Sequence, residues 1–73
     1  MSNLPQVKPK ILLKTVLKLG FYIDRKTGSH VYLKHKDGRT TSISIHPKPI
    51  PKGTFNAILK QIKVAPEEFR KLL

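Results

Sequence analysis

The sequence contains no cysteine. That excludes a disulfide framework and a thiolate metal site, and it fits a reducing compartment such as the cytoplasm. No apolar run approaches the roughly 18 residues of a membrane span. The stretch from Met1 to Lys8 lacks the apolar centre of a signal peptide. Acidic residues are scarce: Asp and Glu number 4 against 15 Lys and Arg. Glu67 and Glu68 are too few and too remote to form a two-metal site, and no glycine-rich nucleotide loop is present. An ATP-using or metal-dependent enzyme is therefore not supported, and no small-molecule cofactor is expected. The chain is also short. Its 73 residues hold one core of useful size, with a stability of roughly 4–11 kcal/mol.

What is abundant is positive charge, +11 net. Residues 1–63 hold 13 basic and 2 acidic groups, and residues 64–73 are neutral. The charge belongs to the body of the domain, since no low-complexity basic tail exists. Uncompensated cations repel one another and oppose compaction. An acidic partner accounts for them, and nucleic acid is the commonest.

Residues 1–8 read as a flexible lead and 9–73 as a single domain. Pro9 suits the first position of a helix. Leu12, Leu13, Val16, Leu17 and Leu19 then form one broad apolar face, Lys10, Lys14 and Lys18 line the other side, and Gly20 ends the helix. Phe21 to Arg25 alternates as a strand, with Phe21 and Ile23 on one face and Tyr22 and Asp24 on the other. Lys26-Thr27-Gly28 is a turn. Ser29 to His35 alternates again: Val31 and Leu33 on one side, His30, Tyr32 and Lys34 opposite. Lys36-Asp37-Gly38 is a second hairpin turn, and Arg39 to Ile45 a third strand. Pro47, Pro49 and Pro51 exclude regular structure from His46 to Lys52. Thr54 opens a helix whose Phe55, Ile58, Leu59 and Ile62 share one face. Ala65-Pro66-Glu67-Glu68 starts a short last helix, carboxylates in its first turn.

The expected fold is α+β: an α-β-β-β-α two-layer sandwich with a three-stranded antiparallel sheet and a short C-terminal helix. One sheet face (Phe21, Ile23, Val31, Leu33, Ile43, Ile45) is covered by helices. The polar face with His30, Tyr22 and Tyr32 stays open. This order of elements is that of the double-stranded-RNA-binding domain, which by itself says little about function.

Gly20-Phe21, Gly28-Ser29-His30, Asp37-Gly38, His46, Pro51-Lys52-Gly53-Thr54-Phe55 and Ile58-Leu59 come in an order and spacing that resembles the HicA toxins of bacterial type II toxin–antitoxin systems. The resemblance spans roughly residues 9–72. It implies an mRNA interferase: a small RNase with a fold like the double-stranded-RNA-binding domain. It implies that the histidine of Gly-Ser-His, here His30, is catalytic, and that a HicB-like antitoxin covers it. Three positions depart from the family pattern. Ser44 stands where Pro is frequent, Pro47-Lys48 where a Ser-Gly pair follows the later histidine, and Ile62-Lys63 where Ala-Gly commonly ends the second helix.

Chemistry alone leaves His30 open between a catalytic group and a plain solvent-facing strand histidine, and the resemblance decides for catalysis. Metal-free RNA cleavage needs a base for the 2′-hydroxyl proton and an acid for the leaving 5′-oxygen. A histidine, with an ordinary pKa near ~6.5, can serve as either. Gly28 permits close approach of a phosphate backbone, and Ser29 can donate a hydrogen bond. Lys34 shares the face of His30 and is the expected stabiliser of the phosphorane charge. His46 is a candidate acid or loop organiser; His35, beside a turn, is more simply an exposed residue. The three histidines, 5 and 11 apart, have no zinc-ligand spacing. Tyr22 and Tyr32 offer stacking surfaces for unpaired bases, against a plain cross-strand packing role. Lys10, Lys14, Lys18, Lys36, Arg39 and Lys52 are candidate phosphate contacts, the last beside the free N–H groups of a helix start. The rival readings are an RNA-binding module of the same fold without catalysis, and a basic protein-interaction adaptor.

Overall fold

The computed structural model describes residues 6–73. Its elements run α1 (Pro9–Lys18), β1 (Tyr22–Thr27), β2 (His30–Lys34), β3 (Thr40–Ser44), α2 (Lys52–Ile62) and α3 (Pro66–Leu72). The strands form an antiparallel sheet in the order β1-β2-β3. The expected α+β architecture is present: helices lie on one face of an open three-stranded sheet.

Local chemistry accounts for the boundaries. Lys8, ahead of a proline, is held extended at φ −77°, ψ 149°, and Pro9 opens α1. Gly20 closes the turn after α1 at φ +98°, where a side chain is disfavoured. It also has a neighbour: a Cβ here would come within 3.0 Å of the His35 ring. Pro51 caps α2, and its carbonyl accepts from the Phe55 N–H at 2.9 Å. The helix therefore starts two residues before Thr54, because the third proline opens it as well as ending the loop. Lys63 terminates α2 in the left-handed region at φ 58°, ψ 45°. That is the conformation for which glycine is preferred.

The core lies between sheet and helices. Leu12 and Val16 of α1, Val31, Leu33 and Ile43 of the sheet, and Phe55, Ile58, Leu59 and Ile62 of α2 are all buried, with Phe21. Phe69 anchors α3 edge-on against Phe55, ring centroids 5.1 Å apart. The buried hydroxyl of Thr15 donates to the Ile11 carbonyl at 2.9 Å, and that of Thr41 to Gln61 Oε1 at 2.7 Å.

Two expectations change. Residues 1–5 of the expected lead lie outside the described residues, but Val7 is part of the core, and its carbonyl accepts from the Ile50 N–H at 2.9 Å. An apolar side chain with a backbone partner in the proline-rich loop is anchored. Ile23, expected in the core, is 38% exposed. It sits on the edge strand beside a bulge between Ile23 and Arg25.

Candidate active site

That bulge rearranges the open face. Tyr22 pairs with Lys34 and Ile23 with Leu33, but Tyr32 faces Arg25 and His30 faces Thr27. Asp24 is the extra residue. Strict alternation would have put Arg25 on the apolar face beside Ile23; the bulge brings it to the polar one. Its guanidinium lies over the Tyr32 ring, 4.5 Å from the centroid. Tyr32 in turn lies 6.4 Å from the His30 ring, tilted by 31°. The open face thus carries a row of Arg25, Tyr32 and His30. Arg25 is a candidate site residue that the sequence reading did not single out. The available signal was its place two residues after Ile23, where strict alternation would leave a charge on the apolar face.

His30 is exposed, and no hydrogen bond or ion pair holds its imidazole among the described residues. It follows the two-residue loop Gly28-Ser29, which closes the β1–β2 hairpin with Gly28 at φ +60°. Positive φ at the first loop residue alone is the type II′ pattern. The turn accounts for Gly28, and open space surrounds the place of a Cβ there. Ser29 contributes its carbonyl, which accepts from the Ile45 N–H at 2.8 Å. Because Ser29 and Ile45 are hydrogen-bonded partners, the next pair, His30 and Ser44, is a narrow one, with Cα atoms roughly 4.5 Å apart. The Ser44 hydroxyl is buried without a hydrogen-bond partner among the described residues.

The other expected site residues are dispersed. Lys34 is on the same face, but four strand residues from His30 span roughly 13 Å, and Tyr32 stands between. Its ammonium is 3.8 Å from the Asp24 carboxylate. Tyr22, opposite Lys34, is at that same far end and 52% exposed. Lys36 is in the β2–β3 turn, also remote from His30. Lys10, Lys14 and Lys18 are exposed on the side of α1 away from the core, on the opposite side of the two-layer sandwich. Lys52 is exposed at the start of α2. His46 follows β3 two residues after Ser44, and it lines an apolar groove with Pro9, Ile50 and Ile58 on the helix side.

Arg39 and His35 turn inward. The Arg39 guanidinium donates to Asp37 Oδ2 at 2.8 Å, donates to the Ile62 carbonyl at the end of α2, and lies 5.1 Å from the Phe21 ring centroid. Arg39, an expected phosphate contact, thus has its guanidinium turned inward, where it ties the β2–β3 turn to α2. His35, expected at the surface, packs edge-on against Phe21 at 5.0 Å, and its Nδ1 accepts the Asp37 N–H at 3.1 Å. The Arg39 N–H donates to the Asp37 carboxylate at 3.0 Å. This bond first, then the nearby guanidinium and imidazole, holds the Asp37 carboxyl below the usual carboxylate range.

Among the described residues no His, Asp and Glu side chains gather into a group of three that could hold a metal ion. No helix there is long and apolar enough to cross a membrane. A family model described as the HicA toxin of bacterial toxin–antitoxin systems matches residues 10–64. No curated protein matches the chain.

Proposed function

The chain belongs to the HicA toxin family of bacterial toxin–antitoxin systems, and from that premise we propose that it is a metal-independent mRNA endoribonuclease acting in the cytoplasm, with His30 moving the protons. The family makes it a toxin, a class that is generally mRNA-cleaving, with a cognate antitoxin and an RNA substrate in general terms. The observation that carries the residue assignment is the open face itself. His30 is exposed there, unengaged, and aligned with Tyr32 and the Arg25 guanidinium.

A neutral His30 nitrogen takes the proton of a 2′-hydroxyl while that oxygen attacks the adjacent phosphorus. The bond from phosphorus to the 5′-oxygen breaks, water supplies the proton to that oxygen, and a 2′,3′-cyclic phosphate remains. Arg25, rather than Lys34, is the cation near enough to the His30–Tyr32 row to meet the charge building on the phosphorane oxygens. Tyr32 offers its ring edge or free face to a neighbouring base. The lysines of α1 and the start of α2 are too far round the molecule to hold the same nucleotide. They act through the long-range field that brings RNA in. A HicB-like antitoxin with an acidic contact surface blocks the His30 face, and opposite charges make its association fast and salt-sensitive.

The test is expression of the wild type and His30→Ala, following growth and bulk mRNA, with both purified proteins assayed on an RNA oligonucleotide. Loss of the acid–base group lowers cleavage about 10²–10⁴-fold, while circular dichroism stays unchanged. Equal cleavage by both proteins, or intact RNA with both, overturns the catalytic reading. The second outcome leaves the RNA-binding module.

A further inference from the structure

The bulge that aligns Arg25 with His30 also leaves a carboxylate, Asp24, beside it on a face built for a polyanion. Asp24 is the one acidic residue of the sheet; the other three are in the β2–β3 turn and α3. On phosphate contact alone a carboxylate here is a liability, since it repels the backbone that the surrounding cations attract. It also does little for the fold. Its ion pair with Lys34 is long, 3.8 Å, and both side chains are exposed to solvent, a geometry worth little to stability. Both groups keep most of their hydrogen-bonding capacity: a carboxylate that only accepts and an ammonium that only donates, side by side.

They stand in a groove of about 450 Å³ that runs from Arg25 and Tyr32 on the open face across Thr40 and Ser42 to Gln61 of α2 at the β3 edge. That volume is in the range of small-ligand sites, and a single extruded base fits within it. The groove begins at Tyr32, two strand residues or roughly 7 Å from His30. It therefore takes a base next to the scissile phosphate, not the phosphate itself.

We propose that Asp24 and Lys34 together read a guanine in single-stranded RNA. The Watson–Crick edge of guanine presents two adjacent donors, N1–H and the N2 amine, and beside them one acceptor, O6. Asp24 takes the two donors and Lys34 donates to O6. Adenine offers an acceptor where guanine has N1–H, and uracil has no exocyclic amine, so each leaves the carboxylate short of a partner. Seating a base against Asp24 and Lys34 displaces their water, and a base that cannot pair with both leaves that lost hydration uncompensated, which is the source of such discrimination. The base is read edge-on while its sugar and phosphate run toward Arg25 and His30.

This inference rests on the reading of the open face as an RNA-cleaving surface, so its test separates binding from cleavage. In the His30→Ala protein, fluorescence anisotropy at fixed salt measures affinity for oligouridine carrying one central guanine, inosine or adenine. Guanine binds more tightly than adenine by roughly 5- to 150-fold, the discrimination of one good bidentate base contact. Inosine, which lacks only the N2 amine, falls between. Asp24→Asn reduces the guanine oligonucleotide to the level of the adenine one, and Lys34→Met narrows the gap from the O6 side. Equal affinities for all three bases, or a guanine preference that survives Asp24→Asn, overturn the proposal. The wild type cutting all three substrates at one rate also overturns it, and leaves the cleavage reading standing. A guanine preference in binding with no cleavage by the wild type does the reverse.

Discussion

Replacing Arg39 by lysine keeps the +11 charge and removes a planar fork that three partners use. Arg39 donates to the Ile62 carbonyl, to the Asp37 carboxylate, and faces the Phe21 ring. A charged hydrogen bond to a half-buried carbonyl is worth about 1.5–3 kcal/mol, the cation–π contact about 0.5–1, and the exposed carboxylate pair about 0.2–1. Lysine recovers one of these at a time, so the loss is about 2 kcal/mol. Against a total of roughly 4–11 kcal/mol for a domain of this length, that is a large share. With a urea slope of about 1 kcal/mol per molar for so small a domain, the midpoint falls by roughly 2 M. RNA affinity and its salt slope, measured where both proteins are folded, stay as they were, because the charge count is unchanged and the side chain faces inward. A midpoint within about 0.3 M of wild type, or a drop in RNA affinity at unchanged stability, refutes the assignment of Arg39 to the fold.

Three further outcomes follow from the backbone and the turn. Lys63→Gly relieves a left-handed helix terminus at φ 58° and raises stability by about 1 kcal/mol, read as a higher melting temperature. Gly28→Ala forces a Cβ onto φ +60° and costs about 1–2 kcal/mol; Gly28→Asn, more tolerant of that region, costs less, and equal losses would mean that something other than backbone strain is at work. Asp37 has its pKa lowered by the Arg39 N–H, so its contribution is complete above the unfolded value of about 3.9 and fades as pH falls through the lower folded value. Melting curves of wild type and Asp37→Asn should converge on acidification below about pH 4, and curves that stay parallel would count against the carboxylate.

Most of the fold was legible because periodicity and burial agree. The α2 face of Phe55, Ile58, Leu59 and Ile62 is buried as its spacing requires. Alternation in β2 separates Val31 and Leu33 from His30, Tyr32 and Lys34. Where a single residue breaks the period, the pattern misleads. One inserted residue at Asp24 reverses the facing of everything after it in β1, so Arg25 changes sides and Ile23 is left at an uncovered edge. Side-chain engagement is equally invisible in sequence. Arg39 and Lys34 look alike as cations, yet the first is bound to a carbonyl over 20 residues away, in α2, and the second, among the described residues, pairs with Asp24 across the strand pair.

The charge of this domain is therefore divided in its work. The lysine row of α1 and the polar face of the sheet lie on opposite sides of the sandwich, and no single stretch of RNA one nucleotide wide touches both. Steering needs only net charge, since its field reaches about 8–10 Å through physiological salt. Chemistry needs a cation at the reacting group. The lysines of α1 could be moved about the surface with little effect on the proposed reaction, whereas the role proposed for Arg25 depends on Asp24 standing out of register, which leaves Arg25 opposite Tyr32. Drawing Asp24 back into register opposite Tyr32 would turn Arg25 to the apolar face without altering a single basic residue. On that account the proposed site depends on the bulge more than on the charge.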